Sequence, residues 1–190
     1  MRPSAHFHSA ISMLGLIYIF NPSFSIFYST LFIIGCLAID LDFLWSLVSN
    51  SSSNHRLYIT HYPLLYVLLL LLSYLLNLDY LIFLFAGALY HLFFDWFDWG
   101  LPIIPFMSEK YMTPHLLHIP EGRKMNSESD FFKLYFNNKF IRNLEIILLA
   151  GFLLAFIYLP DELKIIVIII EVLIVMEFGI NLKKVKITTN

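Results

Sequence analysis

His91 and Asp95 lie four residues apart in a stretch that is otherwise almost entirely apolar. On a helix this spacing sets both side chains on one face, with Cβ atoms about 5–6 Å apart. An imidazole and a carboxylate so placed can share one divalent metal ion, or one can orient the other. The plainer alternative is a hydrogen-bonded pair that ties two helices together. Ionisable groups inside apolar helices are expensive to keep, which tilts the pair toward chemistry.

Asp40 and Asp42 sit among Leu37, Ile39, Leu41 and Phe43. Two positions apart on a helix means roughly 200° apart around it, so one of them is the better ligand. Asp40 is expected to bind metal and Asp42 to act as general base or to orient a ligand, although spacing alone leaves their order open. Hard carboxylates among imidazoles suit zinc or manganese, then iron or magnesium. His61, after Thr60, is expected as a further ligand from the first turn of a helix. Arg56 offers a planar donor fork that suits phosphate, or serves as a positive anchor at a membrane face. His55 beside it is an accessory candidate. His8 is expected to ligate as well, with His6 accessory to it. His115 and His118 fall in a polar stretch where histidines are usually solvated.

The elements that must position these groups are apolar. Of 190 residues, 59% are hydrophobic and only 14% are charged, with mean hydropathy +0.75, too little charge to cover a soluble domain of this size. Crossing a ~30 Å hydrocarbon core takes roughly 20 helical residues, and several runs approach that length. The expected fold is an all-α integral membrane protein, a bundle of about six transmembrane helices with a cytoplasmic surface loop. The expected helices cover residues 8–20, 24–48, 60–76, 80–99, 142–158 and 162–182. Thr60 is the expected N-cap of the third, with Pro63 tolerated in its first turn. Gly100 and Pro102 are expected to stop the fourth. Residues 1–106 then form a four-helix metal-site core, 107–142 a cytoplasmic or interfacial loop, and 143–190 a transmembrane hairpin. No small-residue cleavage site follows the first apolar run, so that helix is expected to be retained.

With six spans both termini share one side. That side would hold every Lys and Arg except Lys164, so it is expected to be cytoplasmic, in the cytoplasmic membrane. The same topology gathers His8, Asp40, Asp42, His61, His91 and Asp95 near that face. The last two helices contribute no histidine. Net charge is −2 and no basic tract appears, which removes nucleic acid from the partners. The lone Cys36 excludes an internal disulfide framework. No nucleophile elbow, P-loop, HExxH or CxxC motif is present.

In order, His8-Ser9-Ala10, Ile39-Asp40-Leu41-Asp42, His55-Arg56 with Thr60-His61, and Gly87 through His91 to Asp95 with Gly100 and Pro102 form a pattern. It resembles that of the predicted membrane-bound metal-dependent hydrolases of the YdjM/YbcI type. The likeness covers roughly residues 6–106. Ala38 stands where that family has Pro, and four residues separate Arg56 from His61 where it has three or fewer. The resemblance implies a membrane-bound hydrolase that uses a divalent ion, zinc first, with manganese or iron as alternatives. The His-x-x-x-Asp element is also similar to one in zinc-dependent phospholipases C and P1-type nucleases, a hint of phosphoester chemistry. The expected partners are the lipid bilayer and a small or lipid-like substrate. Two other classes compete. A metal- or proton-linked transporter would extend ionisable residues through the membrane, whereas these stop at one face. A structural protein would use the polar cluster only to pin helices.

Overall fold

The computed structural model describes residues 3–41, 59–98 and 138–188. Among them the fold is all-helical, with six α-helices and no strand. Helix α1 is Pro3–Phe20, α2 Ile26–Ala38, α3 Pro63–Leu75, α4 Asp79–Asp98, α5 Lys139–Tyr158 and α6 Asp161–Thr188. Short 3-10 turns cover Ile39–Leu41 after α2 and Ile59–His61 before α3.

Several boundaries differ from those expected. Helix α1 begins at Pro3, not near residue 8. Proline has no amide hydrogen to lose at a first helical position, so it starts a helix readily. Helix α2 stops at Ala38, so Asp40 lies in the 3-10 turn beyond it. The N-cap of α3 is Tyr62, with no side-chain cap bond, while Thr60 belongs to the preceding 3-10 turn. Helix α5 starts at Lys139, inside the stretch expected as loop, because the Asn138 side chain accepts from the amides of Phe140 and Ile141.

Where the connection is described, as between α1 and α2, α3 and α4, and α5 and α6, it is short. Between α3 and α4, Asn77 takes φ 55°, a left-handed conformation that Asn tolerates. The Leu78 amide donates to Ser73 O at 2.9 Å and the Asn77 amide to Tyr74 O at 3.1 Å, which satisfies the last carbonyls of α3.

Helix α1 is the central element. Its buried Phe7, Ile11, Leu14 and Tyr18 pack with Phe32, Ile33 and Cys36 of α2, Phe152 and Ala155 of α5, and Leu163 and Val167 of α6. Helix α2 packs most extensively on α4, and α1 on α5. Glycine permits the α2–α4 approach. A Cβ at Gly35 would meet the Leu84 carbonyl, and one at Gly87 would meet the Phe32 carbonyl. The two backbones therefore touch one turn before His91. Helix α5 forms one wall of α1.

Many large apolar side chains face outward, among them Leu64, Leu68, Leu71 and Leu75 of α3 and Ile146, Leu153 and Ile157 of α5. By length and composition, α5 is the one described helix able to cross a membrane. Segments Ser4–Phe20, Ile26–Ala38 and Pro63–Leu75 are apolar but shorter.

Candidate metal centre

Four segments meet at one end of the bundle: the start of α1, the turn after α2, the turn before α3 and the last turns of α4. They deliver His6, Asp40, His61, and His91 with Asp95. His6, His61, His91 and Asp95 are buried, and Asp40 is partly exposed.

Asp95 is the hub. Its Oδ1 lies 3.2 Å from His6 Nε2. Its Oδ2 lies 3.2 Å from His91 Nε2 and 3.7 Å from His61 Nε2. Asp40 Oδ1 is 3.5 Å from His91 Nε2. Donors that share one ion at about 2.0–2.2 Å sit roughly 3.3–3.6 Å from each other in a tetrahedral shell. The observed separations match that scale. Two triads, His6–Asp40–His91 and His61–His91–Asp95, have donor atoms close enough to hold a metal ion.

The tautomer of His91 decides what its free nitrogen can do. Its Nδ1 lies 2.7 Å from the Cys36 carbonyl oxygen. A carbonyl only accepts, so Nδ1 carries the hydrogen and donates. In the neutral ring Nε2 then bears a lone pair, and it points at carboxylate oxygens that bear lone pairs too. A cation between them, either a proton on Nε2 or a metal ion, satisfies both sides. A backbone carbonyl fixing one imidazole nitrogen so that the other can ligate is the usual way metal-binding histidines are held. Among the described residues, His91 Nε2, both ring nitrogens of His6 and Asp40 Oδ2 are buried without a hydrogen-bond partner. Buried polar atoms are costly in that state, and bound divalent metal would give these side chains the partners they lack. The donor set of imidazoles and carboxylates fits a borderline divalent ion such as zinc.

Further contacts steady the ligands. Cys36 Sγ donates to the His6 carbonyl at 3.6 Å, and Ser9 Oγ donates to the same oxygen at 2.8 Å. Tyr90 Oη donates to Ser9 O at 3.0 Å, which ties α4 to α1. The Thr60 hydroxyl is 3.4 Å from His61 Nδ1.

No family model, curated protein or solved structure matches this chain. The site therefore has to be read from its own geometry.

Of the expected ligands, the structure brings together Asp40, His61, His91 and Asp95. It does not bring in His8, whose Nε2 faces Glu171 of α6 at 3.2 Å. His6, expected only as accessory, takes the place in the cluster. Because α1 begins at Pro3, both histidines lie on regular helix, about 200° apart, and only one can face α4. The expected catalytic Asp42 and Arg56, the accessory His55, and His115 with His118 lie outside the described residues. The role of the Cys36 carbonyl was not foreseeable from residue type, since every residue has one. Glu171 carried a signal that was missed, an acidic residue alone between Ile170 and Val172 in an apolar run.

Proposed function

We propose that this chain is a membrane-bound, metal-dependent hydrolase whose site opens at the cytoplasmic face, with a phosphoester or lipid-like substrate. One observation carries the reading: the His91 ring is held by the Cys36 carbonyl so that its other nitrogen faces two carboxylates. Burying carboxylates in an apolar bundle costs several kcal/mol per ion without a counter-charge. A merely structural pin would need no histidines aimed at them from three separate segments.

The outward leucine and isoleucine faces of α3 and α5 support a lipid surrounding, since water would leave large apolar patches exposed. In this reading the six helices form a transmembrane bundle and both termini are cytoplasmic. The cluster then sits near the inner end of α1 to α4, at the depth of lipid headgroups. Asp40, the partly exposed member, marks the side from which a substrate would approach.

His6, Asp40, His61, His91 and Asp95 would supply the ligands for divalent metal, zinc first, with manganese or iron as alternatives. When bound, such an ion polarises an ester or phosphoryl oxygen and brings the pKa of a coordinated water to about 7. The chain's own contribution is to fix the imidazole orientations and exclude bulk water from the buried side. Asp42 and Arg56, outside the described residues, are the sequence candidates for proton transfer and phosphate binding. The motif resemblance to predicted membrane-bound metal-dependent hydrolases points the same way.

The test is elemental analysis of detergent-purified protein, followed by turnover of phosphomonoester, phosphodiester and phospholipid substrates with and without chelator. Bound metal, and turnover that chelation abolishes and zinc restores, are the expected results. Protein that binds no metal, or that turns over equally after His91→Ala, would overturn the reading.

A further inference from the structure

The rings of His6 and His91 are stacked, with centroids 3.8 Å apart and planes 21° from parallel. An imidazole binds metal through a lone pair in the plane of its ring. Nearly parallel planes that are offset by stacking do not meet close to the rings. An ion at the usual N–metal distance of about 2.0–2.1 Å from one ring therefore lies well out of the plane of the other. His6 and His91 thus cannot both ligate a single ion in this arrangement.

The carboxylate between them is divided in the same way. His6 Nε2 faces Asp95 Oδ1, whereas His91 Nε2 and His61 Nε2 face Oδ2. The His61 and His91 rings are 75° from coplanar, with centroids 6.2 Å apart, so their in-plane lone pairs can converge on one point. Asp40 lies within donor reach of both His6 and His91, and its Oδ2 is a buried oxygen with no hydrogen-bond partner among the described residues.

We infer that the centre is binuclear, with Asp95 bridging two divalent ions through its two oxygens. His61, His91 and Asp95 Oδ2 hold one ion. His6, Asp95 Oδ1 and Asp40 hold the other. Two divalent ions against two carboxylates leave an excess of positive charge, which suits an anionic phosphoryl group over a neutral ester. This inference rests on the metal-site reading above and specifies its stoichiometry.

The test uses the full chain in detergent, stripped with chelator and reloaded with Mn(II). Bound metal is counted by elemental analysis after desalting, and the loaded protein is examined by electron paramagnetic resonance. The expected result is about two ions per chain and an exchange-coupled spectrum, as a carboxylate-bridged pair would give. About one ion per chain with an isolated six-line spectrum would overturn the binuclear centre and leave the metal site standing. No bound ion would sink both. Asp95→Asn keeps the side-chain shape but weakens one bridging oxygen, so it should lose the coupling. His6→Gln should keep about one ion, uncoupled. Two coupled ions retained in folded Asp95→Asn would show that Asp95 is not the bridge. Should either variant not fold, the count and the spectrum of the unmodified chain decide.

Discussion

Helix α1 carries two histidines that meet opposite fates. His6 turns to α4 and enters a crowd of imidazoles and carboxylates where its ring nitrogens find no hydrogen bond among the described residues. His8 turns to α5 and α6, rests against the Phe152 ring at 4.8 Å, and its Nε2 meets both Glu171 oxygens at 3.2 and 3.3 Å. The second pair is complete as it stands, with one donor for one carboxylate. In the first, three histidines crowd one carboxylate, a donor set that divalent metal would complete. Burial of a titratable residue therefore does not identify a site. A shortfall of partners around it does.

The sharpest way to break this contrast is to remove the carboxylate on each face. Asp95→Ala should abolish metal binding, because Asp95 touches all three histidines of the cluster. Glu171→Ala should leave metal content unchanged. Elemental analysis of both variants after identical loading reads the difference directly. Equal loss of metal would mean that the two faces of α1 form one site.

The histidines should separate next. His6→Ala removes a ligand, and even residues that merely orient ligands are worth 10–100-fold in metal affinity, so a loss of at least about tenfold is expected. His8→Ala should shift affinity little. It removes a partly buried hydrogen bond worth about 1 kcal/mol, or roughly 2–4 °C of melting temperature in a chain of this size. Competition with a fluorescent chelator gives the affinities, and thermal unfolding in detergent gives the shift. A large metal effect from His8→Ala would overturn the assignment of faces.

Two glycines sharpen the comparison through packing alone. Gly87 lets α4 touch the α2 backbone, and Gly15 lets α1 touch Ala155 of α5, whose Cα would lie 2.6 Å from an added Cβ. Alanine at either position overpacks the bundle by about 1–3 kcal/mol, and both variants should melt lower. Only Gly87→Ala should also weaken metal binding, by about tenfold, since it moves His91 away from the carbonyl that orients it. If Gly15→Ala weakened metal binding as much, the α2–α4 contact would not be what positions the ligands.

Much of this architecture was legible in the residues. Apolar runs and their breakers pointed to six helices, and the described residues form six. The four-residue spacing gave His91 and Asp95 one face. Alternating helix direction placed Asp40 and His61 beside them. Choosing between His6 and His8 was beyond reach, because that choice depends on which side of α1 meets α4. In α1, Ser4, His6, His8, Ser9 and Ser12 are spread around the first half of the helix, so no single stripe marks its polar-cluster side. Likewise, spacing cannot reveal that α2 ends at Ala38, since Asp40 would be acceptable on either an α-helical or a 3-10 turn.

The smallest expected effect concerns Cys36, a residue whose type invites over-reading. A thiolate is a strong zinc ligand, and Cys36 is buried beside the cluster. Its Sγ donates to the His6 carbonyl, 3.6 Å distant. What it gives to the centre is its backbone oxygen, which no substitution removes. Cys36→Ser keeps a donor for the His6 carbonyl and keeps the acceptor for His91. Metal affinity should therefore stay within about threefold of the unmodified chain, far short of the 10–100-fold that loss of an orienting contact costs. Cobalt-substituted protein supplies a second reading, since thiolate coordination gives intense near-ultraviolet charge-transfer absorption. That band should be absent from both proteins. Its presence in the unmodified chain and loss in Cys36→Ser would make sulfur a ligand, and the imidazole–carboxylate donor set would have to be redrawn around it.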